Sequence, residues 1–226
     1  MSSHSTSWPV ICIYYFYRTM ERIITTIRHG HIVGEQVQIE LIRKSLHLLI
    51  SLVPLLAAMN KELTMLLLAA GTLFYAFAEQ SRITGSPVFI ISNLTVSASR
   101  YRDRGRFVLG PVTLGIGAML ALLLYPAPAA AIAIYALAFG DGVASFMGKL
   151  IGGLQIPFTR GKTAAGSLSC FLAVLWVTFR VTGNAEISFI IAITATLLEV
   201  LPSGDLDNLL LPVGTGMVAT YLLIIN

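Results

Sequence analysis

Charge is what this sequence has least of. Only 12% of its 226 residues are Asp, Glu, Lys or Arg, against about a quarter in an average soluble domain. Cysteine is nearly as scarce. Cys12 and Cys170 both stand in apolar runs, so a disulfide framework and a cysteine-rich zinc site are excluded and both read as small hydrophobes. No basic groove studded with aromatics stands out, and nucleic acid is therefore not an expected partner. Nor is there an internal repeat or a polar stretch long enough to make a soluble domain. What remains is apolar. Hydrophobic residues make up 56% of the chain and the mean hydropathy is +0.80, which together call for an integral membrane protein.

Seven hydrophobic segments are centred on residues 46–59, 63–78, 107–125, 128–148, 167–183, 186–201 and 209–225, with a weaker patch at 87–97. The expected fold is all-α, with about seven transmembrane helices and an N-terminal interfacial segment. Several segments fall short of the ~20 residues of a straight span. The apolar run WPVICIYYFY near the N-terminus is shorter still and suits an interfacial anchor, so the chain divides into 1–39 and a polytopic domain, 40–226. With the N-terminus inside, alternate connections put thirteen of the fifteen cations on one side, leaving Lys61 and Arg180 outside. That bias sets the N-terminus and the candidate site on the cytoplasmic face.

The most informative stretch is FGDGVASFMGKLIGGLQIPFTRGKTAAGS, residues 139–167. Helical spacing would place Asp141, Ser145, Gly148 and Gly152 on one face, poor in side chains and carrying a carboxylate that needs a partner at the lipid boundary. Arg160, Lys162 and Thr163 precede Gly166 and Ser167 at an expected helix N-terminus, where free N–H groups favour a phosphate. Simpler readings exist: the glycines are packing contacts and the cations positive-inside anchors. Arg43, Lys44 and His47 enter the first segment behind Glu40 and can share one face, forming a polar patch for a phosphate or lipid hydroxyl, or merely snorkelling. Glu79 and Arg82 read as an i,i+3 pair. Arg100, Arg102, Arg104 and Arg106 suit phosphate or anionic headgroups. Glu199, Asp205, Asp207 and Asn208 cluster at one membrane edge, where hard oxygen ligands suit Mg²⁺, although Asp and Asn also cap helices well.

Taken in order, RKSLH at 43–47, GDGVASFMGKLIG at 140–152, KTAAGS at 162–167, EVLP at 199–202 and DNLLLP at 207–212 resemble the CTP-dependent lipid kinases. That family includes dolichol kinase, phytol kinase and CTP-using diacylglycerol kinases. The resemblance implies transfer of the γ-phosphate of CTP to a membrane lipid alcohol, with Mg²⁺ or another divalent cation. It carries the nucleotide site onto Gly140, Asp141, Ser145, Gly148, Lys162, Thr163, Gly166 and Ser167, with Asn208 beside them. In that site Asp141, Lys162 and Asp207 are the expected catalytic groups, Asp141, Glu199 and Asp207 the metal ligands, and Arg43, Lys44 and His47 the lipid contacts. The sequence departs from the pattern at Ala165, where relatives often carry an acid. A membrane phosphatidate cytidylyltransferase, which attacks the α-phosphorus of CTP, is the alternative; a transporter with a broken helix at 140–142 is a third reading.

Overall fold

A computed structural model describes residues 43–86, 106–159, 161–202 and 204–225. The expected interfacial segment, Glu40, Arg100, Arg102, Arg104 and Arg160 lie outside the described residues. All described residues belong to the compact unit Ile39–Asn226. Helix α1 covers 43–50, α2 is Val53–Met59, α3 Lys61–Ile83, α4 Gly110–Leu124 and α5 Ala129–Tyr135. A π-helical turn, Ala136–Asp141, joins α5 to α6, Gly142–Ile151; then come α7, Ala164–Thr182, α8, Ala185–Val200, and α9, Asp207–Ile225. Among the described residues only one isolated β-bridge interrupts the helical pattern, between Gln155 and Thr163.

Local chemistry sets the breaks. Pro54 lacks the N–H that Ile50 would need four residues on, so the first hydrophobic segment divides at Ser51–Leu52 and restarts with proline in the first turn of α2. The Asn60 side chain caps α3 by accepting from Leu63 N at 2.8 Å, and Asn184 caps α8 by accepting from Glu186 N and Ile187 N. Gly183, at φ +69°, closes α7 in the left-handed conformation that glycine adopts without strain.

Packing is inverted relative to a water-soluble bundle. Ala118, Ala121, Ala133, Ala136, Ala138, Ala192, Ala195 and Ala219 are buried between helices, while Leu66, Leu73, Phe74, Phe77, Trp176, Leu197, Met217 and Tyr221 point outward. Small residues inside and large apolar ones outside are the arrangement of helices that pack closely while surrounded by lipid. At the centre is α9, against α4, α5 and α8, with α7 joining α8 to α6 and α3 flanking α4.

Length then separates the seven expected spans. Four helices among the described residues are long and apolar enough to cross a bilayer: Lys61–Ile83, Ala129–Ile151, Ala164–Thr182 and Gly204–Ile225. Helix α4 is apolar but has 15 residues, or about 22 Å at the rise of an α-helix, and α8 has 16. Hydropathy registers composition and cannot register where proline or a cap cuts a segment.

The Glu79–Arg82 pair does more than decorate a helix surface. Fully buried Glu79 accepts from Arg82 Nε at 2.8 Å and Nη2 at 2.7 Å and from Val108 N at 2.8 Å, and Arg82 Nη2 reaches Arg106 O at 2.9 Å. The end of α3 is thus clasped to the lead-in of α4. Glu79→Ala is expected to lower stability by about 3 kcal/mol, since it strands the guanidinium and the Val108 N–H. Unfolding of the variant in detergent, followed by circular dichroism against urea, measures this.

Candidate active site

At one end of the bundle the segments that carry the sequence motifs converge on an open cavity of about 230 Å³. Arg43 and Lys44 reach it from α1, and Asp141, Ala144, Ser145, Gly148 and Lys149 from the π turn and α6. The α6–α7 connection supplies Thr159, Gly161, Lys162 and Thr163, with Gly166 in the first turn of α7. The α8–α9 corner supplies Glu199, Pro202, Gly204, Asp207 and Asn208. Four cations therefore face three carboxylates, a lining suited to an anion with its own counter-ion.

Two ion-paired centres organise this lining. In the first, Lys44 Nζ donates to Asp141 Oδ2 at 2.5 Å, both side chains 7% exposed. His47 Nδ1 lies 3.4 Å from the same oxygen and 3.5 Å from Leu137 O, and Ser145 Oγ donates to Asp141 Oδ1 at 3.5 Å. Lys44 and Asp141 are 97 positions apart. The π turn matters here, because its wider winding shifts the register of the residues that follow, and such turns concentrate at functional sites. In the second centre, Lys162 Nζ bonds to the Glu199 carbonyl and sits 2.9 Å from Glu199 Oε1 and 3.8 Å from Asp207 Oδ2. Ser167 Oγ donates to Glu199 Oε2 at 3.3 Å from behind.

The capping geometry follows the sequence. The Thr163 side chain accepts from Gly166 N at 3.1 Å and starts α7, so Lys162 is held just ahead of a helix N-terminus. Gly148 and Gly166 face one another across the α6–α7 contact. A Cβ on Gly166 would come within 2.7 Å of Ala144 O and 3.4 Å of Gly148 Cα, so both glycines serve helix approach as well as lining the cavity.

Not every expected residue reaches the cavity wall. Gly140 is buried, with Val174 and Cys170 where a Cβ would stand, and it packs rather than lines. Ser167 and His47 stand one layer back, behind Glu199 and Asp141. Asn208 lines the cavity, but its amide nitrogen donates to Gly110 O at 3.2 Å and Thr113 Oγ1 at 3.0 Å, which fixes α9 on α4. Pro212 deprives the Asn208 carbonyl of its helical donor, and Gly117 leaves room for that carbonyl against α4. Thr159, Gly161 and Gly204 line the wall without having been expected. The last two, at φ +90° and +69°, make turns that no side chain favours, and Gly in a polar connection is the signal that could have found them.

Asp141, Glu199 and Asp207, the expected metal ligands, each lie beside a lysine. Among the described residues no three His, Cys, Asp or Glu side chains are gathered closely enough to hold an ion by themselves. Lysines occupy the carboxylates instead.

Comparison with known proteins agrees in direction with the motif reading. Over 147 residues the chain is 26% identical to a probable chloroplastic phytol kinase of Triticum aestivum, covering 57% of this chain and 49% of the relative. Over 158 residues it is 25% identical to one of Zea mays, covering 62% and 52%. A probable phytol kinase 3 of Glycine max is 30% identical over 145 residues, covering 56% and 45%. The chain thus spans about half the length of the curated relatives it matches. No protein-family model and no solved structure matches it.

Proposed function

We propose that this chain is a membrane lipid kinase that transfers the terminal phosphoryl group of CTP to an isoprenoid lipid alcohol such as phytol. The observation that carries the reading is the convergence of Lys44, Asp141, Lys162, Glu199 and Asp207, drawn from four separate segments, on one cavity at the end of a lipid-embedded bundle. The phytol kinase relatives support a phosphotransferase acting on a lipid alcohol. CTP as donor rests on the motif resemblance.

In this reading Lys162 and the N-terminus of α7 take the triphosphate, with Lys44 and Arg43 at the lipid side of the cavity. Phosphate oxygens replace carboxylate oxygens around the two lysines, releasing Asp141 to accept the proton of the lipid hydroxyl. The alcohol oxygen bonds to the γ-phosphorus, the bridging bond to the β-phosphate breaks, and its electron pair leaves with CDP. Positioning and charge stabilisation dominate such transfers. A divalent cation would be held by Glu199 and Asp207 together with the phosphates, as suits Mg²⁺, which keeps waters and bridges to substrate rather than occupying a protein cage. It would spread the charge that builds on the transferred group. The seven hydrophobic segments would then form one bundle, with the shorter α4 and α8 accommodated by local bilayer thinning, and the site on the cytoplasmic face.

Labelled nucleotide tests the reaction. Purified protein with phytol and CTP should move label from the γ position to lipid. Label arriving from the α position would instead identify a cytidylyltransferase, and ATP outperforming CTP would overturn the choice of donor.

A further inference from the structure

The connection between α6 and α7 has two unlike faces. Thr159, Gly161, Lys162 and Thr163 line the cavity, and the connection is held as a small hairpin by Ile156 N to Lys162 O at 2.8 Å and Ala164 N to Leu154 O at 2.9 Å. Thr159 Oγ1 pins its turn by donating to Ile156 O at 2.6 Å. On the other face Phe158 is 99% exposed and Leu154 78% exposed, continuing the exposed Leu150 and Ile151 at the end of α6.

Single exposed apolar side chains are ordinary, but these four run on from the end of a candidate span and close on a constrained residue. Phe158 has φ +66°, a left-handed conformation costly for an aromatic side chain, and among the described non-glycine residues it is the one that adopts it. The turn therefore holds the ring outward, against local preference. Two candidate spans, Ala129–Ile151 and Ala164–Thr182, end and begin at the base of the hairpin. Phe158 lies five positions beyond Gly153, about 17 Å at full extension, so the tip stays beside the bilayer surface.

We propose that this hairpin is an interfacial foot, with Leu154 and Phe158 inserted into the headgroup and acyl boundary of the leaflet on the cavity's side. Because Thr159 and Lys162 belong to the same hairpin, the insertion holds the cavity mouth at the depth where a lipid hydroxyl resides. The partner is the bilayer itself. The proposal rests on the membrane embedding of the chain and is independent of which reaction the cavity performs.

Depth-dependent fluorescence tests it. In a Trp8→Phe, Trp176→Phe background, Phe158→Trp and Leu154→Trp are introduced separately and the full chain is placed in phosphatidylcholine vesicles. The expected result at both positions is blue-shifted emission, largely lost when the lipid carries bromine near the carbonyl end of its acyl chains and little affected by aqueous acrylamide. Red emission quenched by acrylamide and indifferent to bromine would overturn the proposal. So would emission that answers to added CTP and Mg²⁺ but not to brominated lipid, which would make the hairpin a lid over the cavity. Neither outcome touches the phosphoryl-transfer assay, so the two readings fail separately.

Discussion

Asp207→Asn is expected to reduce phosphoryl transfer from CTP roughly 100- to 1,000-fold, the scale of losing one electrostatic contact to a reacting group, while the protein stays folded. The substitution keeps the shape of a side chain in the first turn of α9 that lines the cavity. Its ion pair with Lys162 is long, at 3.8 Å. Losing an acid from a helix N-terminus weakens the fold by only about 0.3–1 kcal/mol. A structural role would lower the unfolding midpoint and the rate together. The proposed role in holding a divalent cation lowers the rate alone and raises the Mg²⁺ concentration needed for what activity remains. Rates with γ-labelled CTP across a Mg²⁺ series, beside thermal unfolding in detergent, separate the two.

Much of the architecture was legible because lipid simplifies the code. The expected segments 63–78 and 209–225 fall inside the candidate spans Lys61–Ile83 and Gly204–Ile225, and 128–148 starts one residue ahead of Ala129–Ile151, since apolar runs between polar connections leave the backbone little choice but helix. The site was legible for a related reason. A Lys, Asp or Glu at a membrane edge requires a partner, so Asp141, Lys162, Glu199 and Asp207 stood out before any partner was visible.

What was not legible depends on contacts distant in sequence. Nothing in RKSLH names Asp141 as the partner of Lys44. The π turn at 136–141, which carries that carboxylate, adds one residue to a turn without changing hydropathy. Gly140 and Gly148 share one motif, yet the first packs against Cys170 and Val174 while the second lines the cavity and meets Gly166. Asn208 stood beside the acids as a nucleotide contact, but Thr113 and Gly110 engage its amide nitrogen. Spacing places residues on a face; only the neighbouring helix decides what that face touches.

The Lys44–Asp141 pair should show stability and activity parting company. Lys44→Met leaves a buried carboxylate without its cation, and breaking one side of a buried pair in this way costs about 3–5 kcal/mol. Removing both charges, as Lys44→Met with Asp141→Asn, is expected to restore most of that loss, because an uncharged pair loses far less on leaving water than a lone buried charge does. Transfer should stay undetectable in both variants, since the second also lacks the group that accepts the hydroxyl proton. The double-mutant cycle in unfolding free energy then reports the coupling of the two side chains, read beside activity on the same preparations. If activity returned with stability in the double variant, Asp141 would be an anchor between α1 and α6 and the proton acceptor would lie elsewhere in the cavity. If stability returned and activity did not, the charge buried there is kept for the reaction, since the fold is no worse without it.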